Sequence, residues 1–478
     1  MKLFNYAIPF FLFATFSTPL LSKKTKTKKY DWQKEDHWNW STVDSMSNED
    51  FWQQLTRFFP QDFAWGVATS AFQMEGTQSA HGKHCLNSWT KNAQLAQPGI
   101  ATGHWDRYKE DVQLIKKAGF THYRFSIEWS KVEPECGVFD EDALQHYSDL
   151  VDELIANGIT PIPCLFHHAW PLWFDDKDHF EKTENIHYFT QFALYVFEKL
   201  HHKIQMWMTF NEPAGYAMAA YVDAKYPPCK KLAFKECGIW LKNVLNAHVA
   251  VAMKFKEINP TVQVGFPHMF NPLDPYNSWN PCDYKITGEF NYLLHDVTLN
   301  FFKTGHFDWK ISLFGMNTYR IRDYNKNAPK SLDYLGVNYY SHTTIGWFKR
   351  KVRENEPYTG GKNGRTIYPE GLYRSIKKAN ELATALNIPL YIAENGVNDP
   401  QDIWKNEFLK KHLSVITRAM QEGIDIRGYY WWTLLDSFSW SHNTDSKMGF
   451  YAVDENLNRT LRFGVQPFIE FMKTVQAS

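Results

Sequence analysis

Two glutamates follow apolar runs typical of buried β-strands, and together they have the chemistry needed to break a glycosidic bond. Glu212 lies in the string NEP (211–213) and Glu394 in the string ENG (394–396). Two carboxyl groups that face each other across a cleft are the minimal equipment for glycoside hydrolysis. A separation of about 5–5.5 Å gives retention at the anomeric carbon and about 6.5–9.5 Å gives inversion, so the sequence leaves the stereochemistry open.

Eight apolar runs predict the strands that position these glutamates. They are residues 63–70, 121–129, 160–168, 204–211, 262–268, 332–340, 389–394 and 426–434. Most are nearly continuous, as expected for parallel strands covered on both faces. Segments with helical spacing lie between them, at 106–118, 141–156, 187–201, 240–257, 370–386 and 405–421. The alternation predicts an α/β fold, a (β/α)8 TIM barrel with long βα loops formed by residues 51–478 as one domain. Two doubly wound domains are the alternative, but no linker is evident in mid-chain.

Polar residues cluster at the predicted carboxyl ends of these strands, where the active site of such a barrel lies. They are Gln73, Arg124, His167, Asn211, Glu212, Asn338, Tyr340, Glu394 and Trp440. A nucleophile must stay ionised, and Arg124 and Tyr340 could supply the cation and the donor that keep Glu394 so. Glu212 follows an apolar stretch, and the charge of Glu394 would raise its pKa, which suits a general acid.

The composition excludes several other classes of protein. Lys plus Arg equals Asp plus Glu at 52 each, so no excess of cations is present to bind nucleic acid. Neither zinc-type Cys or His spacing nor a GxxxxGK[ST] phosphate loop occurs, so we expect no metal and no cofactor. The chain has 19 Trp, and their flat apolar faces suit sugar rings. The expected partner is a small-molecule β-glycoside or oligosaccharide.

The amino terminus has the pattern of a targeting segment. Lys2 precedes an apolar stretch over residues 4–21. This pattern predicts that residues 1–22 are a signal peptide or an N-terminal anchor. A Lys-rich block follows, and residues 23–50 are interpreted as a polar linker or an arm lying on the domain. The expected location is therefore secreted or periplasmic, with membrane attachment through residues 4–21 as the alternative.

The six cysteines are too few for a disulfide scaffold. Cys229 and Cys237 are close in sequence and could pair under oxidising conditions.

Several longer strings resemble glycoside hydrolase family 1, the β-glucosidase-like retaining enzymes. They are GVATSAFQMEG (66–76), HWDRYKEDVQLIKKAGFTHYRFSIEWSKVEP (104–134), TFNEP (209–213), LGVNYY (335–340), IAENG (392–396) and GYYWWTLLDSFSW (428–440). The resemblance covers about residues 51–473 and implies a retaining exo-β-glycosidase that works by double displacement.

The resemblance also implies a role for each matching residue. Glu394 is similar to the nucleophile and Glu212 to the acid/base of the family. Arg124 and Tyr340 would position the nucleophile. The implied substrate-binding residues are Gln73, His167, Asn211, Trp432, Ser439 and Trp440, with Asn211 on the sugar 2-hydroxyl and Trp432 as a stacking floor.

The chain departs from the family pattern in two places. The segment FHHAWPLW (166–173) stands where the family often has HWDLP. Ser439 replaces a Glu that grips the sugar 4- and 6-hydroxyls, and a Ser cannot replace two charge-assisted hydrogen bonds. Relatives that act on 6-phosphorylated sugars carry Ser here with a Lys and a Tyr after it, but Lys447 is one position late and Met448 replaces the Tyr. A 6-phospho-β-glycosidase and a catalytically inactive carbohydrate- or protein-binding barrel are therefore the alternatives.

Overall fold

A closed barrel of eight parallel strands forms the centre of the molecule. The computed structural model describes residues 40–80, 85–92, 95, 97–313, 316–346, 365–440 and 446–478. The barrel strands, labelled β1 to β8, are Ala64–Ala68, His122–Ser126, Thr160–Phe166, Met206–Phe210, Gln263–Met269, Tyr334–Tyr339, Leu390–Asn395 and Ile426–Trp432. Each pairs with its neighbours in sequence, and β8 pairs with β1. The (β/α)8 TIM barrel and all eight predicted strands are confirmed.

The inside of the barrel is packed by large and very small residues that face one another. Tyr334 and Tyr430 are buried in the interior cluster with Ile162 and Met208. A Cβ added at Gly66 would lie 2.2 Å from the Tyr430 ring, and one at Gly265 would lie 2.0 Å from the Tyr334 ring. The glycines therefore make room for the tyrosines, and the barrel interior is solid below the strand ends.

Helices cover the outside of the barrel and bury a second, larger apolar core between themselves and the strands. The longer ones are His104–Lys117, Glu141–Ala156, Ile186–Leu200, Phe234–Ile258, Pro369–Leu386, Lys405–Gln421 and Gln466–Ala477. Shorter helices are Ala71–Glu75, Trp129–Val132, Leu172–Asp175, Pro213–Ala217, Pro281–Asn291 and Val297–Thr304, and π-helical turns are Met218–Val222 and Tyr292–Asp296. The helix predicted at 240–257 starts earlier, at Phe234, because Cys237 and Trp240 continue its buried face.

Three small sheets lie outside the barrel. An antiparallel hairpin joins His306–Leu313 to Met316–Tyr324 in the long connection between β5 and β6. Leu273–Pro275 pairs with Thr343–Ile345, and Tyr451–Val453 pairs with Arg459–Leu461. None of these strands was predicted, because each is short or faces solvent on one side and lacks the long apolar run of a barrel strand.

The described end of the predicted arm, residues 40–50, is folded against the barrel. It contains the helix Ser41–Ser45 and the start of Asn48–Thr56. Trp40 Nε1 donates to Glu370 Oε1 at 2.7 Å, and Asp44 pairs with Lys411 at 3.1 Å. Residues 1–39, including the predicted signal or anchor at 4–21, lie outside the described residues. Within the described part of the chain, no helix is both long and apolar enough to cross a bilayer.

The pairing considered for Cys229 and Cys237 is absent from the described structure, where both are free thiols. Cys237 is buried in the helix Phe234–Ile258, whereas Cys229 Sγ contacts Asn92 Nδ2 at 3.4 Å. The two residues thus have different surroundings although they are eight positions apart in the sequence.

Candidate active site

Glu394 ends β7 and is held by a cation and a phenol. The Arg124 guanidinium, which comes from β2, donates to Glu394 Oε1, and the Tyr340 hydroxyl donates to Glu394 Oε2 at 2.5 Å. Arg124 is fully buried and Glu394 is 3% exposed. The ion pair and the phenol donor therefore stabilise a negative charge on Glu394 and fix the direction of its two oxygens.

Glu212 follows β4 and has a different environment. Its Oε1 accepts a hydrogen bond from Asn338 Nδ2 at 2.9 Å. Burial, reinforced by the negative charge of Glu394, raises the pKa of Glu212 to about 8. Glu212 has a φ of 47°, a left-handed conformation that is uncommon for a non-glycine residue. Glu394 thus has a cation and a phenol donor beside it, whereas Glu212 holds a proton near neutral pH, which is the division of roles a nucleophile and an acid need.

Asn211 connects the two glutamates to their supporting residues. Its Oδ1 accepts from Arg124 Nη2 at 2.7 Å and from Asn338 Nδ2 at 3.0 Å, so its Nδ2 is the group that meets His167 Nε2 at 3.1 Å. Burial lowers the pKa of His167 well below its usual value, so its ring is neutral. With Nε2 accepting, the proton lies on His167 Nδ1, which is buried and has no partner among the described residues.

A cleft of about 260 Å³ opens over these residues at the carboxyl ends of the strands, and its lining includes every predicted substrate-binding residue. Trp432 is 7% exposed and stacks on His167 with 5.5 Å between ring centroids. Trp440 lies parallel to Phe72 at 5.2 Å and also contacts Trp89. Its ring thus belongs partly to an aromatic cluster and partly to the cleft wall.

Gln73 joins the first strand end to the loop that carries Ser439. Its Nε2 donates to the Phe438 carbonyl at 2.5 Å, and its Oε1 accepts from Ser70 Oγ at 2.7 Å. The lining of the cleft near Ser439 also includes Ser437, Ser446 and Asn398. Among the described residues, this part of the cleft is therefore neutral and rich in hydroxyl and amide groups.

Lys447 is directed away from the cleft. Its Nζ lies 3.9 Å from Asp436 Oδ2, and it is absent from the described cleft lining, whereas its neighbours Ser446 and Met448 are present. The backbone of Lys447 is also fixed, because its N–H donates to Asn398 Oδ1 at 2.7 Å. The described geometry gives this lysine no contact with a sugar phosphate.

The chain matches a known protein family over most of its length. The family model described as glycosyl hydrolase family 1 matches residues 55–476. The chain belongs to glycosyl hydrolase family 1. It is 28% identical to a 6-phospho-beta-galactosidase from Clostridium acetobutylicum, over 83% of this chain and 93% of that protein. It is 31% identical to beta-glucosidase 29 from Arabidopsis thaliana, over 87% of this chain and 80% of that protein.

A solved structure shows the same relationship. The chain matches the beta-glycosidase from Pyrococcus horikoshii with a TM-score of 0.75 and 30% identity, over 87% of this chain and 95% of that one. This family 1 protein is a glycosidase, and the fold and the enzyme class predicted from the sequence are confirmed.

The cleft residues of this glycosidase that the sequence analysis missed include Arg365, His168 and Asp223. Arg365 lies over the Tyr340 ring at 4.7 Å, and its charge acts on Glu212. His168 lines the cleft with a φ of 72°, and Asp223 also lines it. Arg365 and Asp223 come from loops without periodicity, so only His168, in the altered FHHAWPLW segment, had a sequence signal.

Within the described part of the chain, no group of three or more His, Cys, Asp or Glu side chains is arranged to hold a metal ion.

Proposed function

We propose that this family 1 glycosidase is a retaining exo-β-glycosidase that releases a terminal, unphosphorylated sugar by double displacement. Glu394 is the nucleophile and Glu212 is the acid/base. The observation that carries the proposal is that the two carboxyl groups have different surroundings: Arg124 and Tyr340 contact Glu394, whereas Glu212 has a pKa raised to about 8.

In the first step, Glu394 attacks the anomeric carbon while Glu212 gives its proton to the leaving oxygen. The bond from the sugar to that oxygen breaks and a covalent glycosyl-enzyme forms. Glycosylation removes the charge of Glu394, one of the two causes that raise the pKa of Glu212, so Glu212 can then take a proton from water. The water attacks the anomeric carbon, and the sugar leaves with its original configuration.

The direct test is chemical rescue. Glu394→Gly should abolish turnover of an aryl β-glycoside, and azide should restore it with formation of the α-glycosyl azide, detected by NMR. With Glu212→Ala, azide should instead give the β-glycosyl azide. Turnover by Glu394→Gly without azide, or rescue products with the two configurations exchanged, would reject the assignment of roles.

A 6-phospho-β-glycosidase is the second candidate, since Ser439 and the relative from Clostridium acetobutylicum favour it. The position of Lys447 and the presence of Met448 in the cleft lining count against it. A panel of aryl glucosides, galactosides, fucosides and mannosides, each free and 6-phosphorylated where the sugar allows, separates the candidates. Turnover of phosphorylated members alone would replace the proposal, and no turnover by folded protein would favour an inactive binding barrel.

A further inference from the structure

We propose that the leaving-group side of the cleft takes an apolar aglycone, an aryl or alkyl group, in preference to a second sugar. This inference rests on the proposed function, because it uses Glu212 as the acid. A group that protonates the leaving oxygen must stand beside the aglycone, so the aglycone lies in the sector of the barrel next to β4 and away from Glu394.

The lining of the cleft divides between two sectors of the barrel. Hydroxyl, amide and aromatic groups come from the ends of β1, β3 and β8 and the segments after them, among them Gln73, His167 and Ser439. Apolar side chains come from the segments that follow β4 and β5. They are Met218, Met269, Phe270, Leu273, Phe290 and Leu294. We call these six residues the apolar wall.

Glu212 is directly connected to the apolar wall. Its backbone N–H donates to the Pro267 carbonyl of β5 at 3.0 Å, two residues before Met269. The short helix Pro213–Ala217 begins right after it and continues into the π-helical turn Met218–Val222. The proton donor and the apolar side chains therefore share one structural unit.

The apolar wall is preformed and partly open. Phe270, Leu273 and Leu294 are only 2–8% exposed, whereas Met218, Met269 and Phe290 are partly exposed and pack on the core below. Leu294 is in the second π-helical turn of the chain, so both such turns contribute to this wall. π-helical turns occur frequently at functional sites. Flexible methionine side chains suit irregular apolar ligands.

Among the described residues, the polar side chains that line the cleft from the segments after β4 and β5, apart from Asn211 and Glu212, are Tyr216, Asp223, Tyr226 and Asn271. The Tyr216 hydroxyl already has a protein partner, because it donates to the Pro227 carbonyl at 2.7 Å. The Asn271 side chain donates to Thr343 Oγ1 at 3.3 Å. The cleft lining also includes one acidic side chain, Asp223, and one basic side chain, Arg365. A second sugar would place several hydroxyls against the apolar wall, where each loses hydrogen bonds with water. An alkyl or aryl group instead gains from the removal of apolar surface from water.

A series of n-alkyl β-glycosides tests the inference. The sugar is the one that the aryl panel identifies, and the chain runs from methyl through butyl and hexyl to octyl, below the micelle concentration. The full-length enzyme should show kcat/KM rising by about fourfold for each methylene that the wall buries. The corresponding β-linked disaccharide should react at least tenfold more slowly than the hexyl glycoside.

Variants locate the effect. Met218→Gln and Met269→Gln should flatten the dependence on chain length, whereas Met420→Gln makes the same change at a partly buried methionine outside the described cleft lining and should preserve it. A flat series in the wild type, or a disaccharide that reacts faster than the hexyl glycoside, would overturn the inference while leaving the proposed function intact. No hydrolysis of any member would instead reject the proposed function.

Discussion

Arg124 and Glu394 form an ion pair whose side chains are 0% and 4% exposed. An isolated charge at this depth would be very unfavourable, so each partner makes the other tolerable. The pair joins β2 to β7 across the barrel and also leads, through Arg124 Nη2, to Asn211 beside Glu212. The charge of Glu394, which we propose to be the nucleophile, is therefore coupled to the stability of the barrel.

Removal of only one member of the pair should destabilise the protein. Arg124→Gln leaves a buried carboxylate without its cation, and we expect a loss of about 3–5 kcal/mol in the free energy of unfolding. Urea denaturation of Arg124→Gln, Glu394→Gln and the double variant measures how much the two charges contribute jointly to the free energy of unfolding. The double variant should be more stable than the sum of the single changes predicts, although it remains inactive. Strict additivity would show that the two charges do not support each other.

Tyr340→Phe should reduce catalysis while preserving the fold. The change removes the hydroxyl that donates to Glu394 at 2.5 Å and keeps the ring under Arg365. Loss of one hydrogen bond to a charged group should lower kcat/KM by about ten- to a hundredfold. The matched control is Tyr339→Phe, which removes a buried hydroxyl that donates to the Tyr368 carbonyl and touches neither glutamate. An equal loss of kcat/KM in both variants would assign the effect to general damage.

The dependence of kcat/KM on pH should report the ionisation of Glu212. Its pKa is raised to about 8, so the acid keeps its proton below that pH and kcat/KM should fall as the pH rises through about 8. In Glu394→Gln the charge that contributes to the shift is absent, and ¹³C NMR of labelled glutamate should give a lower pKa for Glu212. An unchanged value in this variant would mean that burial alone sets it.

The same shift has a consequence for stability. The pKa of Glu212 is higher in the folded protein than in the unfolded chain. The contribution of Glu212 to the free energy of unfolding is therefore fully present below about pH 4.5 and is lost as the pH rises towards 8. Glu212→Gln removes the ionisation, so its melting temperature should exceed that of the wild type increasingly between these two pH values. A difference that is independent of pH would point to packing rather than to the proton.

Lys447→Gln should not change the preference between free and 6-phosphorylated glycosides. Its Nζ faces Asp436 at 3.9 Å and does not line the described cleft. We expect the ratio of the two kcat/KM values to change by less than about twofold, as is usual for a side chain that does not touch the ligand. A selective loss with the phosphorylated glycoside would place this lysine on the phosphate and restore the second candidate function.

Gly396→Ala should impair the site through the backbone. A Cβ at this position would lie 2.1 Å from the Trp432 carbonyl oxygen, so β7 and β8 must separate just beyond Glu394. We expect a loss of several kcal/mol in stability together with reduced activity. Gly288→Ala is the control, because it is an exposed helical position with no atom within 4 Å of the new Cβ. Thermal melting of this control should show a gain of about 0.5–1 kcal/mol.

The barrel was predictable because each of its strands can be recognised from its own residues, without knowledge of which other segments it contacts. Strands covered on both faces must be apolar throughout, and β1, β4 and β7 are buried at every residue. The polar residues that interrupt this rule, such as Arg124 within β2 and Asn211 directly after β4, were predictable for the same reason. Their side chains meet because the strands are parallel and close on themselves.

The remaining parts of the site depend on which loops meet, and the local pattern contains no information about that. Arg365 approaches Tyr340 from a segment 25 positions later, and nothing near it marks a strand or a helix that points to the cleft. The Asn338 amide shared between Asn211 and Glu212 also depends on the contact of β6 with the end of β4 across the cleft. Lys447 is one position late for the phosphate pattern in the sequence, and in the structure its Nζ lies 3.9 Å from Asp436 Oδ2.

The two ends of the described chain lie on opposite faces of the barrel. Trp40 bonds to Glu370 in the first turn of a helix that starts on the cleft side, whereas Gln476 bonds to Gly119 and Gln61, which precede β2 and β1. Immobilisation through a tag after Ser478 would orient the molecule with its entrance towards bulk solution, which makes that end the better handle for a supported catalyst.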